Sequence, residues 1–252
     1  MILVVATLTY DPHEFPPFAV TVDTVVLTMS EGRLHVLLVR RGVAPFKGMW
    51  AIPGGFKRPR ESLLEAAQRE LLEETGVDGV DLLRQFGAYG DPDRDPRMNV
   101  VTVAYIAVLR DVQGIVGGTD AAAAALVPVS EALGEDFEPL AFDHGRILHD
   151  AIERIRADLA LTGIATAFVG PTFTLAELRA VYEEAWGVRI DGANFRRSVL
   201  ADEGWVIPTG RRAPSGSAGG KPAELYRAGR KWRHGTPIRP GRPNGTRRRE
   251  SR

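Results

Sequence analysis

The stretch GFKRPRESLLEAAQRELLEETGV occupies residues 55–77. From Glu61 to Thr75, the residues Leu63, Leu64, Ala67, Leu71 and Leu72 recur at helical spacing and form one apolar stripe. Gly76 follows as a helix stop, because glycine tolerates the left-handed turn there. Glu70, Glu73 and Glu74 stand at i, i+3 and i+4, which places three carboxylates on one helix face within reach of a shared ion. Like charges this close repel unless a cation neutralises them, and oxygen-only ligation suits Mg²⁺ or Mn²⁺ rather than Zn²⁺. A solvated acidic face has the same spacing, so the three glutamates alone leave both readings open.

The surroundings decide between them. Gly55, five residues, Glu61, seven residues, Arg69-Glu70-Leu71, one residue, Glu73-Glu74, one residue and Gly76-Val77 agree with every fixed position of the signature G-x5-E-x7-R-E-U-x-E-E-x-G-U, where U is a bulky aliphatic residue. The chain thus resembles the Nudix hydrolases. That resemblance implies an α/β fold, an α/β/α sandwich around a mixed sheet. It implies Mg²⁺-dependent hydrolysis, with Mn²⁺ as the other candidate ion, of a nucleoside diphosphate linked to another group. Glu70, Glu73 and Glu74 are then expected to bind metal, and Arg69 to orient them through a salt bridge. Glu61 is expected to support the loop-helix geometry. The backbone of Gly55 is expected at the metal, where a side chain would obstruct it, with Gly54 beside it in the substrate site. The base that activates water is either a glutamate of the box or an acid on the 90–97 loop.

Outward from the box, residues 20–29 and 34–41 read as strands separated by the turn residues Glu31-Gly32. Residues 50–52 are a short apolar piece, and 100–109 are a strong strand. The alanine run 121–125 carries no clear signal. Residues 141–161 read as an amphipathic helix burying Ile147, Ala151, Ile152, Ile155 and Leu159. The loop 89–97 holds three aspartates and two arginines, and Arg94 and Arg97 are candidates to clamp a phosphate; a turn-rich surface loop is the alternative. Its order, and residues 45–50 before the box, resemble bacterial Nudix proteins that act on or sense ADP-ribose, although Met98-Asn99 stand where a glycine is expected. His144 and His149 lack metal-site spacing and read as packing or surface residues.

Composition sets outer limits. The 252 residues are 44% hydrophobic and 25% charged, as in an ordinary soluble protein, and suffice for two cores. The absence of cysteine excludes disulfides and thiolate metal sites. No apolar run approaches the roughly 20 residues that span a bilayer, and the N-terminus lacks a signal-peptide pattern, so a cytoplasmic protein without a membrane partner is expected. The net charge of zero hides an asymmetry: residues 1–160 hold 15 Lys/Arg against 24 Asp/Glu, and residues 229–252 hold nine against one. An acidic front and a basic end suggest different partners.

A second unit begins near Gly163. Thr174 and Glu177 fit a capping box opening one helix, Gly187 ends it, and Asp191 caps another through Phe195, Val199 and Leu200. Residues 205–207 and 224–226 read as strands, giving the order of a winged helix-turn-helix. Asn194, Arg196 and Arg197 at the start of the second helix, and Arg211, Arg212 and Lys221 around the wing, are the candidate contacts to double-stranded DNA. The expected division is a Nudix domain at 1–162, a winged helix at 163–228 and a basic disordered tail at 229–252. Nudix box, Phe173-Thr-Leu-x-x-Leu178, Asn194-Phe-Arg-Arg197 and Lys221-Pro-Ala-Glu-Leu-Tyr226 in one chain resemble the Nudix-related transcriptional regulators of NAD metabolism. That resemblance implies ADP-ribose or a related NAD derivative in the Nudix domain, operator DNA on the winged helix, and a homodimer. The sequence is read as a hydrolase converting ADP-ribose to AMP and ribose 5-phosphate, joined to a DNA-binding module. The alternative is an ADP-ribose-sensing repressor with little or no turnover.

Overall fold

The computed structural model describes residues 11–14, 16–80, 82–110, 121–214 and 222–239. The first unit comprises β1 (Ala19–Ser30), β2 (Arg33–Arg41), β3 (Trp50–Ala51), β4 (Gly54–Phe56), α1 (Leu63–Thr75), β5 (Leu82–Tyr89), β6 (Val100–Leu109), β7 (Ala121–Pro128), the short α2 (Val129–Ala132) and α3 (His144–Leu161). Its sheet runs β3-β2-β1-β6-β5, with β4 paired to β1 and β7 to β2. β1 and β6 are parallel, from Ala19↔Val100 to Thr28↔Leu109, and the other pairings are antiparallel, so the sheet is mixed.

Period-two alternation explains how one sheet serves two cores. On β1, Val22 and Val26 pack with Ala66, Ala67 and Leu71 of α1, whereas Val25 and Leu27 face Ile147, Ala151, Ile152 and Ile155 of α3. On β6, Val103, Tyr105 and Ala107 take the α1 side, and Ala104, Ile106 and Val108 the α3 side. A helix on each face of a mixed sheet is the expected sandwich. α1 begins after Ser62, whose hydroxyl accepts from the Glu65 N–H while the Glu65 carboxylate accepts from the Ser62 N–H; Gly76 closes it at φ 73°. α3 starts three residues later than the periodicity predicts. Phe142 holds φ 53°, which a right-handed helix does not admit.

The second unit holds α4 (Leu175–Trp186), α5 (Gly192–Ala201) and the wing strands β8 (Val206–Arg212) and β9 (Glu224–Ala228). Leu178, Val181, Tyr182, Phe195, Val199, Trp205 and Tyr226 belong to the same buried cluster as α3. Trp186 Nε1 donates to the Arg156 carbonyl at 3.2 Å, and Arg156 Nε to the Ala185 carbonyl at 2.7 Å, so α4 is bonded to α3 as well as packed on it.

The chain after the wing departs from the expected disorder over its described part. Residues 229–239 turn back across both units: Gly229 N–H donates to the Trp205 carbonyl, Gly163 N–H to Trp232, His234 N–H to Leu161 and Ile238 N–H to Ala160. Asp202, at the end of α5, accepts from Lys231 Nζ and the Gly235 N–H and is hydrogen-bonded to His234 Nδ1. Ile238 is buried and His234 stacks edge-on against Trp205 at 4.2 Å. Two apolar anchors and a satisfied buried carboxylate outweigh the entropy that a Gly- and Arg-rich composition suggests would win. Residues 240–252 lie outside the described residues.

Burial pushes the Asp202 carboxyl up, but its bonds to Lys231, His234 and the Gly235 N–H outweigh that and hold it below the ordinary aspartate value. A depressed acid stabilises the fold above its unfolded pKa and loses that contribution as pH falls through the folded value. Asp202→Asn is therefore expected to cost about 2 kcal/mol at neutral pH and progressively less below about pH 4. Denaturant titrations at pH 7 and pH 3 check it; an equal deficit at both would show that charge at Asp202 is not what holds the strap.

Candidate functional site

One wall of a cleft of about 440 Å³ is the outer face of α1. Arg69 organises it. Its guanidinium grips Glu61 with two bonds, Nε to Oε2 at 3.0 Å and Nη2 to Oε1 at 2.7 Å. It also reaches Glu70 Oε1 at 2.6 Å, Glu73 Oε2 at 3.2 Å and the Phe56 carbonyl at 3.1 Å. Glu61 accepts the Arg58 N–H as well, and the Arg69 and Arg58 bonds hold its carboxyl down to about 2. Glu61 is thus the brace between the loop and the helix.

The other two carboxylates behave oppositely. Burial raises Glu70, and Glu74 is pushed up to about 8 by burial and by the nearby Glu70 and Asp23, against the Gly54 N–H that donates to it at 2.9 Å. A Cβ at Gly54 would fall on the Val22 carbonyl, so that position requires glycine, and one at Gly55 would stand 2.5 Å from the Glu70 carboxylate and displace it. The donor set around this cradle is all oxygen, and two buried carboxylates that resist ionisation together are what a hard divalent cation relieves. Glu73 is drawn aside, with both its oxygens 3.1 Å from Arg58 Nη2. Among the described residues no three acids or histidines converge in ligating geometry.

The loop arginines divide. Arg97 lies over Phe56 at 5.1 Å and Phe142 at 5.8 Å, partnered by Asp95 through bonds of 2.9 and 2.7 Å, and remains partly exposed to the cleft. Arg94, also expected to clamp phosphate, is instead only 5% exposed. It is committed to Asp143 by two bonds of 3.0 and 2.6 Å and lies 3.5 Å from Asp23. An arginine satisfied by two buried aspartates braces the loop, and a ligand phosphate would have to displace them.

His144 is buried at the start of α3 and lines the cleft. Its Nδ1 accepts from the Ile52 N–H at 2.9 Å, so its hydrogen sits on Nε2, 3.6 Å from Asp23. Burial lowers its pKa and keeps it neutral. His149 is exposed on the helix surface.

Two cleft residues escaped the sequence reading. Asp23 is the one charged residue of β1, which is the one signal that marked it. Arg41, at the end of β2, lies 4.7 Å over Phe142; burial and the neighbouring Arg97 lower its pKa. Two guanidinium groups disfavouring one another beside an aromatic face form a receptive spot for an anion.

On the second unit, Asp191 caps α5 by accepting the Asn194 N–H at 2.8 Å. Asn194, Arg196 and Arg197 are exposed, while Phe195 and Val199 face the core. Arg197 bonds the Asn194 side chain of its own helix at 3.2 Å. Arg196, Arg211 and Arg212 line a groove between α5 and the wing. Lys221 lies outside the described residues.

Comparison with known proteins agrees with both halves. The NUDIX domain family matches residues 17–151, and the NrtR DNA-binding winged helix domain matches residues 166–228. The ADPR responsive transcriptional repressor NtrR of Acinetobacter baylyi is 34% identical over 220 residues, spanning 86% of this chain and 85% of that protein. The ADP-ribose pyrophosphatase of Methanocaldococcus jannaschii is 38% identical over 135 residues, 52% of this chain and 72% of the relative. Shewanella oneidensis NrtR, solved in complex with a 27mer DNA, superposes with a TM-score of 0.71 at 31% identity, covering 87% of this chain and 99% of that one. Its NUDIX domain complexed with ADP ribose gives 0.53 at 35% identity over 58% and 94%. The chain belongs to the Nudix family, among the proteins that join a Nudix domain to an NrtR-type winged helix.

Proposed function

We propose that this protein is an ADP-ribose-responsive transcriptional regulator whose Nudix cleft also hydrolyses ADP-ribose to AMP and ribose 5-phosphate. The observation that carries this reading is the complete acid set on α1, packed on one face of a sheet whose other face shares its buried core with a winged helix carrying a basic groove. Mg²⁺ would be held by Glu70, Glu74 and the Gly55 backbone, with Glu73 joining from Arg58; when bound it supplies neutralisation of the diphosphate charge. Arg41 and Arg97 bind phosphate oxygens, and Phe56 and Phe142 offer flat faces to a base. Water adds to one phosphorus, the bridging P–O bond breaks, and the water proton passes to a carboxylate. Of the loop acids Asp91, Asp93 and Asp95 only Asp95 lines the cleft, and Arg97 holds it below its ordinary value, which favours a box glutamate as that acceptor.

The capture of Glu73 by Arg58 favours a second reading, sensing without turnover. AMP release from ADP-ribose in Mg²⁺ separates the two. Release establishes the hydrolase, whereas saturable ADP-ribose binding without AMP leaves the sensor. For the DNA face, Arg197→Ala is expected to weaken binding by a similar factor on every duplex and to make the salt slope shallower by about 0.9. Fluorescence anisotropy between 50 and 200 mM salt, values set by the usual working range, reads this directly. An unchanged slope would remove Arg197 from the interface.

A further inference from the structure

Glu224 is an acid in the groove that is proposed to meet DNA, and it sits beside a recognition-helix arginine. Arg196 Nη1 donates to the Tyr226 hydroxyl at 3.1 Å, and Nη2 lies 3.5 Å from Glu224 Oε2. The Tyr226 hydroxyl in turn donates to the same Glu224 oxygen at 2.6 Å. Each group in this ring uses the role its chemistry allows, with the hydroxyl accepting once and donating once. The anchor is rigid: Tyr226 is 2% exposed, and its backbone exchanges two hydrogen bonds, of 2.9 and 2.7 Å, with Phe173. Arg197, one position on, is bonded among the described residues to Asn194 of its own helix.

A carboxylate at a phosphate-binding surface opposes non-specific attraction, so its presence there needs a compensating use. Resting on the DNA-binding reading, we infer that Glu224 and Tyr226 are positioning residues that hold the Arg196 guanidinium for one base-edge contact and withhold its charge from phosphates. They set discrimination between sequences rather than total affinity. A guanidinium fork fixed before binding loses little freedom on meeting a base, while an unpaired one finds a phosphate on any sequence. Glu224 is exposed at the rim and its Tyr226 bond keeps it below the ordinary glutamate range, so it carries its charge at neutral pH.

The test uses the full chain, a duplex selected by the wild type from a random library, and a scrambled duplex of equal length. Glu224→Gln keeps the acceptor for Tyr226 and removes only the charge. It is expected to bind scrambled DNA about fivefold tighter near 0.15 M salt, with a salt slope steeper by about 0.9, and to gain less on the selected duplex. Tyr226→Phe keeps the buried ring. It is expected to lose about tenfold on the selected duplex and nothing on the scrambled one. In an Arg196→Ala background both effects vanish, which a general loss of wing structure would not produce. Effects that persist without Arg196, equal losses on both duplexes, or wild-type behaviour of both variants overturn the inference. Failure of the wild type to enrich or bind any duplex overturns the DNA-binding reading itself.

Discussion

Glu74→Gln is expected to lower Mg²⁺-dependent turnover of ADP-ribose by roughly a hundredfold or more while leaving the fold intact. Glu74 is the cleft carboxylate whose surroundings most resist its charge, with Glu70 and Asp23 nearby and one backbone N–H in support. Glutamine still offers an oxygen to the Gly54 N–H, so the loop before the box keeps its anchor. What it lacks is the negative charge that would make a hard cation favourable. Thermal melts supply the second arm. Mg²⁺ should raise the melting temperature of the wild type by mass action and leave that of the variant unchanged, because a ligand stabilises only the state that binds it. In EDTA the variant should be at least as stable as the wild type, since it no longer crowds acids into the cleft wall. Turnover at the wild-type rate, with an undiminished Mg²⁺ effect, would remove Glu74 from the site and with it the hydrolase mechanism.

Arg69→Ala is expected to produce the largest loss of stability among the cleft substitutions considered. The guanidinium contacts Glu61, Glu70, Glu73 and the Phe56 carbonyl, and its side chain is 16% exposed. Its removal leaves Glu61 and Glu70 without their cation and Glu73 with Arg58 alone, a cost of about 2–3 kcal/mol once cleft water screens part of the repulsion. For a chain of this size that is roughly 5–10 °C in melting temperature. Arg69→Lys retains charge but not the fork that grips Glu61, and should fall between. Adding Glu61→Gln to Arg69→Ala should recover part of the loss, because one of the uncompensated charges disappears. Arg58→Ala, which loses only the exposed pair with Glu73 and keeps the backbone bond to Glu61, should cost less than about 1 kcal/mol. A melting temperature within a degree of wild type for Arg69→Ala would show that the glutamates are held by solvent rather than by this hub.

The box helix, the capped helices α4 and α5 and the long strands were legible because their signals repeat within one turn or one pleat. Ser62 with Glu65 and Thr174 with Glu177 are three residues apart, and each pair closes its own cap wherever the helix is later packed. The alanine run 121–125 was not legible. Alanine has little strand preference, and β7 exists because β2 offers it an unpaired edge from His35↔Pro128 to Arg41↔Ala121. β4 is three residues long and is likewise defined by its partner, with Asp23 opposite Gly54.

The sequence by itself determined the identity of the chemistry: three acids on one helix face, two glycines before them, and the order of a winged helix, all set by spacings that local geometry converts directly into neighbours. Only the tertiary structure decided which charges are free to use it. Arg94 and Arg97 look alike in the loop and both line the cleft, yet Arg94 is buried against Asp143 and Asp23 while Arg97 stays partly exposed over Phe142, as does Arg41 from the end of β2. Glu224 lies 28 positions from Arg196 and meets it across the wing, and residues 229–239 fold back because Trp205, Asp202 and the end of α3 present a surface for them. Spacing along a chain encodes contacts within an element. The pairing of Arg94 and of Arg196 is settled by the partners that packing brings within about 3–4 Å, Asp143 and Glu224, and both lie in another part of the chain.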